Sequence, residues 1–350
     1  MKRIFIYLLI LILISFAIPI IFTSKFGENK ETSSHEINQE DKKIEENENI
    51  SKENENNNSK AVYDYKKYNI VKVLHAKDNN VEEMELDTYL YGVVSAEMPV
   101  SFEKEALKAQ AVVARTYTIY KITNSVGKHE GADICDNSNC CQAWISKENR
   151  FSKWEGQDKE ENWNKIVSAV EETKGKIVTY QGEAINAFFH SNSGGTTEAP
   201  VNVWGGSGYP YLQAVQTSGE DGYSQYYSEV TLSKDELTKK MRNKYSDFSI
   251  NFEDEGQIKV IEHTEGGRVK TIKIGNKNLS GVEARSMFGL KSANFEIKRE
   301  GDKIKFTVIG YGHGVGMSQT GADSMAKSGS SYEDIIKHFY TGVEITDLWN

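Results

Sequence analysis

The sequence is short of cysteine. Cys135, Cys140 and Cys141 are the only three in 350 residues and fall within seven positions; an odd, clustered set cannot pair fully within the chain, so a disulfide framework explains it poorly. Positive charge is also short, with 42 Lys and Arg against 51 Asp and Glu and a net charge of −9. The first 23 residues carry +2 and residues 24–60 carry −4, which leaves −7 on residues 61–350. An acidic domain repels phosphate backbones, which argues against a nucleic-acid partner. Hydrophobic side chains are nearly missing from residues 24–60, where only Phe26, Ile37, Ile44 and Ile50 stand among 16 Asp, Glu and Lys. Such a segment cannot bury enough apolar surface to offset chain entropy and reads as a disordered tether.

One long hydrophobic run is present. Lys2 and Arg3 precede Ile4 to Phe22, in which only Ser15 and Pro19 interrupt 17 apolar residues. As a helix it spans roughly 28 Å, the depth of a bilayer core. A cleaved signal peptide has a shorter apolar region and ends in small residues, which Ile20-Ile21-Phe22 lack. Residues 1–23 therefore read as an uncleaved transmembrane anchor. Positive charge holds its start in the cytoplasm, so the expected location is the cell membrane, single-pass, with Ser24 onward extracytoplasmic.

Residues 61–350 are long enough for one large or two smaller domains. Tyr68 to Leu74 is rich in β-branched residues and predicts a strand. Leu86, Leu90, Val93, Val94 and Glu97 follow one helical face, with Asp87 as candidate N-cap and Met98-Pro99 as the stop. A second helix is predicted over 103–122, started by Ser101, with an Ala-rich centre at Ala109 to Ala114. Strands are predicted at 176–180, 184–189, 259–263, 270–274 and 303–309, with a helix over 232–241. Helices follow at 318–327 and, after the capping-box pattern Ser331-x-x-Asp334, at 332–340. The fold class expected is α+β, with a catalytic domain over 61–222 plus 306–350. A smaller inserted domain over 223–305 is expected to leave a groove between the two.

Glu97 is the first chemical anomaly, a carboxyl group in the middle of an apolar stripe. Burial there raises its pKa, as a general acid near neutral pH requires. The plain alternative is a helix-end Glu that swings into solvent or pairs with an Arg. Gln110 sits likewise among Leu107, Val113, Ala114 and Tyr117 on the next helix, and the Pro99 turn brings the two stripes together; a satisfied core amide is its plain reading. His129, Cys135 and Cys141, six residues apart, offer imidazole and thiolate, preferred zinc ligands. One disulfide plus a free thiol is the rival account, and the adjacent Cys140 is expected to point away from Cys141. Phe188 to Thr197 runs from a strand into a polar loop. Gly310-Tyr311-Gly312-His313-Gly314-Val315-Gly316 alternates glycine before a helix, which permits close backbone approach. It is not a dinucleotide fingerprint, and a Ser191–His313 nucleophilic pair lacks a G-x-S-x-G elbow.

Together these segments resemble the stage II sporulation protein D family of endospore-forming bacteria. The resemblance rests on four marks: Tyr89-Leu90-x-Gly92-Val93-Val94-x-x-Glu97-Met98-Pro99; Ala106-Leu107-Lys108-Ala109-Gln110-Ala111-Val112-x-Ala114-Arg115-Thr116-Tyr117; Asp133-Ile134-Cys135 with Cys141-Gln142; and Gly312-His313-Gly314-Val315-Gly316-Met317-Ser318-Gln319. It implies a lytic transglycosylase that cuts peptidoglycan strands, preferring glycan stripped of stem peptides by an amidase, during engulfment of the forespore. The family's catalytic acid falls on Glu97 and a further active-site residue on Arg115. Helical projection, by contrast, puts Arg115 beside Lys104 and Lys108 on an exposed face. The family's zinc ligands match His129, Cys135 and Cys141, and Cys140 replaces the usual His, which leaves the fourth ligand open. Gln110, Ser191, Tyr211, Asp221 and His313 are the candidate substrate-binding residues. The implied partners are glycan strands, a sporulation amidase and a membrane complex. A zinc-dependent cell-wall hydrolase and a non-catalytic glycan-binding module remain the alternatives, and the zinc suits a structural site as well as a catalytic one.

Overall fold

Two helices joined by a proline turn organise the molecule. In the computed structural model, which describes residues 68–125 and 127–348, Leu86–Glu97 is helical and ends where Met98 turns extended before Pro99. The anchor and tether expected over 1–60 lie outside the described residues; among those described, no helix is long and apolar enough to cross a membrane. Asp87 is not the N-cap. The helix starts one residue earlier, and the Asp87 carboxylate is drawn inward to Arg115 at 3.2 Å and Lys174 at 3.3 Å.

The second helix, Lys104–Asn124, opens without a side-chain cap from Ser101 or Glu103. The Glu103 N–H instead donates to Asp323 at 2.7 Å, fastening the helix start to the helix Gln319–Lys327. Beyond its first turn this helix is buried nearly all round, against helices Leu86–Glu97, Lys159–Glu171, Gln319–Lys327 and Tyr332–Phe339 and strand Lys176–Tyr180. The exposed face assigned to Arg115 is therefore corrected. Its surroundings are helices and a strand on every side, and it has no accessible surface.

The strands are short and the sheets small, which makes the class α+β. Ile70–His75 pairs antiparallel with Asn80–Glu85 and parallel with Ile134–Cys135, setting Cys135 opposite Leu74. Lys176–Tyr180 lies between Glu344–Asp347 and Glu183–Ala184. The single strand predicted over 184–189 is two separate pairs of residues, Glu183–Ala184 and Phe189–His190. The Asn186 N–H is taken by the Tyr211 hydroxyl and the Phe188 carbonyl by the Met317 N–H and the Tyr340 hydroxyl, so no continuous ladder forms. Phe189–His190 runs parallel to Met317–Ser318, a long-range pairing that seats the glycine-rich segment. Gly316, at φ 71°, lies so near Phe188 that a Cβ would come within 2.0 Å of its carbonyl oxygen.

A second buried cluster runs from Leu232 to Val308, distinct from the main core around Tyr89, Leu107, Ile119 and Phe339. It lies between two three-stranded sheets, Phe295–Glu300/Lys303–Ile309/Tyr227–Ser233 and Lys277–Ser280/Val269–Ile274/Ile258–His263, with helices Lys234–Lys244 and Gly281–Phe288. The helix predicted from Leu232 begins only at Lys234, because Ser233 and Glu236 form a capping box while Leu232 completes a strand.

Candidate active site and cysteine cluster

Glu97 ends its helix part-buried, and its two carboxylate oxygens are held from different directions. Oε1 accepts the Ala143 N–H at 2.7 Å and Oε2 the Gln319 amide at 3.4 Å. Burial pushes its pKa up; the bonds from Ala143 and Gln319 pull it part of the way back. Among the described ion pairs no cation partners it, so the Arg-paired alternative does not apply. Gln110 is fully buried on the neighbouring helix, and its Oε1 lies 3.5 Å from the same Gln319 nitrogen. Its own Nε2 has no hydrogen-bond partner. The two polar anomalies on two apolar stripes thus converge on one point.

Gln319 is the residue that sequence reasoning missed. It follows Ser318, the N-cap of its helix, whose hydroxyl bonds Glu220. Glu220 is a buried hub that also accepts from the Ser193 N–H at 3.1 Å and hydroxyl, the Gly195 N–H at 3.2 Å, Thr217 at 2.6 Å and Thr320 at 2.8 Å. Burial alone would raise its pKa, yet the Ser193, Ser318 and Thr217 donors bring it down to about 2. Glu220 stays ionised and locks the loop after Phe189–His190 to the start of Gln319–Lys327. A lone Glu in a polar stretch carries no local signal of this role.

The other candidates scatter. Ser191 is part-buried and its carbonyl accepts from Thr320 at 3.1 Å. Tyr211 is a core residue, its hydroxyl taking the Asn186 N–H and its ring beside Tyr209 and Tyr180. Asp221 is exposed. His313 accepts the Val315 N–H at 3.0 Å and packs 5.2 Å from the Trp204 ring. Arg115 donates to the carbonyls of Thr173, Lys176 and Val170 at 2.8, 3.2 and 3.3 Å and pairs with Asp87. Those bonds describe an anchor between helices, made by a side chain with no exposed surface.

The cysteine segment closes into a cluster. His129, Cys135, Cys140 and Cys141 each bring one ligand atom, all within 4.8 Å of one another. All three thiols are free, with His129 Nε2 at 3.4 Å from Cys141 Sγ and 3.8 Å from Cys140 Sγ. Cys140 does not point away. Its N–H and that of Cys141 both bond the Asn137 carbonyl, a tight turn that brings adjacent side chains to the same side, 3.9 Å apart. Three thiols and one imidazole at this spacing fit tetrahedral zinc. Two residues on, Ala143 supplies the N–H that holds Glu97, so the cluster fixes the loop that clasps the carboxylate.

Fold and site define an α+β protein with a clasped, part-buried carboxyl group beside a cysteine–histidine cluster, and its relatives include sporulation proteins. The profile of the stage II sporulation protein family matches residues 75–180, and that of a domain of unknown function matches residues 216–316. The chain is 39% identical over 278 residues to stage II sporulation protein D of Bacillus amyloliquefaciens, covering 79% of this chain and 78% of that one. It is 37% identical over 278 residues to stage II sporulation protein D of Bacillus subtilis, covering 79% of each. An amidase enhancer of Bacillus subtilis is 32% identical over 308 residues, 73% of this chain and 40% of that protein. The chain belongs to the stage II sporulation protein D family.

Proposed function

We propose that this protein is a peptidoglycan lytic transglycosylase that cleaves the MurNAc–GlcNAc bond of peptide-stripped strands during forespore engulfment. The observation that carries the reading is Glu97: a part-buried carboxyl group with a raised pKa, clasped by Ala143 and Gln319 and unpaired with any described cation. Its acid form donates to the glycosidic oxygen as the bond breaks. The resulting carboxylate then takes the proton of the muramoyl C6 hydroxyl, which closes a 1,6-anhydro ring, so one residue serves as acid and base and no second carboxylate is required. Donors already bonded to Glu97 stabilise the carboxylate at that stage.

Zinc suits the His129, Cys135, Cys140, Cys141 set and there supplies a structural cross-link. These four protein donors would complete a zinc ion's usual set of ligands, which favours a structural ion over a zinc hydrolase. The apolar run at residues 1–23 supports a single-pass membrane location with the folded part outside. The amidase enhancer relative supports a place beside a cell-wall amidase. Digestion of purified glycan with mass analysis tests the reading: anhydro-muramoyl ends support it, reducing ends indicate a hydrolase, and intact strands a binding module.

A further inference from the structure

The two oxygens of the Glu97 carboxyl group are held unequally. Oε1 takes a backbone N–H, that of Ala143, at 2.7 Å, a short bond whose donor can never become an acceptor. Oε2 takes a side-chain amide instead, Gln319 Nε2 at 3.4 Å, and the same nitrogen lies 3.5 Å from Gln110 Oε1. Both contacts exceed the usual N–H···O range of about 2.7–3.2 Å, so this amide is loosely seated. Beyond it Gln110 is fully buried, and its Nε2 has no hydrogen-bond partner. Buried N–H groups are left unpaired more rarely than buried oxygens, which puts Gln110 at odds with its surroundings in this orientation.

A side-chain amide has a donor end and an acceptor end of nearly equal shape, and a half-turn about its last bond exchanges them. If Gln319 and Gln110 both turn, Gln319 Oε1 faces Glu97 Oε2 and Gln110 Nε2 donates to that same amide oxygen. The observed orientation suits the carboxylate, because a charge-assisted bond from Gln319 outweighs the unpaired Gln110 amide. The reversed orientation suits the acid: the Oε2 proton gains an acceptor and the Gln110 N–H is satisfied. Charged and titratable groups on the surrounding elements are engaged elsewhere. Tyr89, on the Glu97 helix, is bonded to Gln142, and burial pushes its pKa far up. Arg150, from helix Lys147–Lys153, is tied to Ser95. Asp323, one turn beyond Gln319, is turned to Tyr223 at 2.7 Å and Lys327 at 2.8 Å, and the thiols before Ala143 belong to the cysteine cluster.

We propose that Gln319 and Gln110 are positioning residues that form a two-amide relay, turning over together as Glu97 gains and loses its proton. The catalytic use of the relay rests on the transglycosylase reading, in which one carboxyl group serves first as acid and then as base. In the acid form Gln319 Oε1 holds the Oε2 proton until the glycosidic oxygen takes it. As that proton leaves, Gln319 swings its NH₂ to the new carboxylate. The amides return once Oε2 has taken the proton of the C6 hydroxyl. Each protonation state thus has a matched partner, and no charged side chain is needed to supply it.

The test follows kcat for anhydro-muramoyl release from stripped strands against pH, with the full chain. Gln319→Met removes the donor to the carboxylate, so the limb on which activity falls should move up by roughly one pH unit, a tenfold change in the acid-to-carboxylate ratio. Gln110→Met removes a side chain that is better satisfied beside the acid, so the limb should move down, by roughly half a unit. If Gln110 only held Gln319 in place, its loss would weaken the same donor and move the limb up; that result overturns the relay. An unmoved limb overturns it as well and, with a raised KM, makes Gln110 a substrate contact. A second measurement needs neither turnover nor the Met variants. With nitrogen-15 in the glutamine side chains of the unsubstituted chain, two amide signals should change at one midpoint as pH falls, and both should stay constant in Glu97→Gln. A single responding signal, or none, overturns the relay. If both titrate but the protein never yields anhydro ends, the relay stands and the transglycosylase reading fails.

Discussion

Glu220→Gln tests the architecture that positions the candidate site. The wild-type carboxylate accepts six hydrogen bonds, from two backbone N–H groups and four hydroxyls, and is 2% exposed. Those donors outweigh burial and hold its pKa at about 2, against 4.5 ordinarily. At 1.36 kcal/mol per unit this difference stabilises the native state by about 3 kcal/mol wherever the group is ionised in both states. Because the folded pKa is depressed, that contribution is complete above pH 4.5 and is lost as pH falls towards about 2. Gln removes the charge and turns one acceptor into an NH₂ facing other donors, so a total loss of about 3–5 kcal/mol is expected. Thermal denaturation at neutral pH should show Tm lower by roughly 6–20 °C. A titration of Tm between pH 5 and pH 2 should be flatter in the variant than in the wild type. Unchanged Tm together with an unchanged acid profile would refute the hub.

The parts of the site that are legible in the sequence are the parts set by local periodicity. Glu97 and Gln110 stand out because each interrupts an apolar stripe of its own helix, and Pro99 announces the turn that joins them. Gln319 reaches them only through the parallel pairing of Met317–Ser318 with Phe189–His190, a contact across more than a hundred residues that no spacing encodes. Arg115 misleads for a related reason. Projection places it with Lys104 and Lys108, but those lie near the outer end of the helix, and one turn or two further on the same face is covered by helix Lys159–Glu171 and strand Lys176–Tyr180. A helix face is a local property, whereas what packs on it is not. Cys140 fails in the other direction: neighbouring side chains diverge on an extended strand, but the turn at Asn137 makes both converge. The alternating glycines were legible as a need for close approach, yet what approaches, Arg268 at Gly314 and the Phe188 carbonyl at Gly316, comes from distant segments.

Further perturbations separate chemistry from support. Glu97→Gln should remain folded and bind glycan while anhydro product falls by ~10²- to 10⁴-fold, read by mass analysis of digests. In the unsubstituted protein, turnover should fall as pH rises through the raised Glu97 pKa, since the proton-donating form is then depleted; a rate that climbs steadily with pH contradicts an acid role. Cys140→Ser should lower the zinc content from about one per chain and lower Tm with it, as expected of a fourth ligand; full metal and full stability would restrict the set to three. Arg115→Met decides whether Arg115 anchors or catalyses. The substitution keeps the bulk of the buried stem but leaves the carbonyls of Val170, Thr173 and Lys176 without this donor and Asp87 without this partner. Breaking a buried ion pair from one side costs about 3–5 kcal/mol, so Tm should drop well below that of the wild type. Activity per folded molecule, measured at a temperature where the variant is still native, should hold, because Glu97, Gln110 and Gln319 keep their contacts with one another. A variant with wild-type Tm and no turnover would instead make Arg115 a direct participant, and would require the helix packing around it to open before substrate is cut.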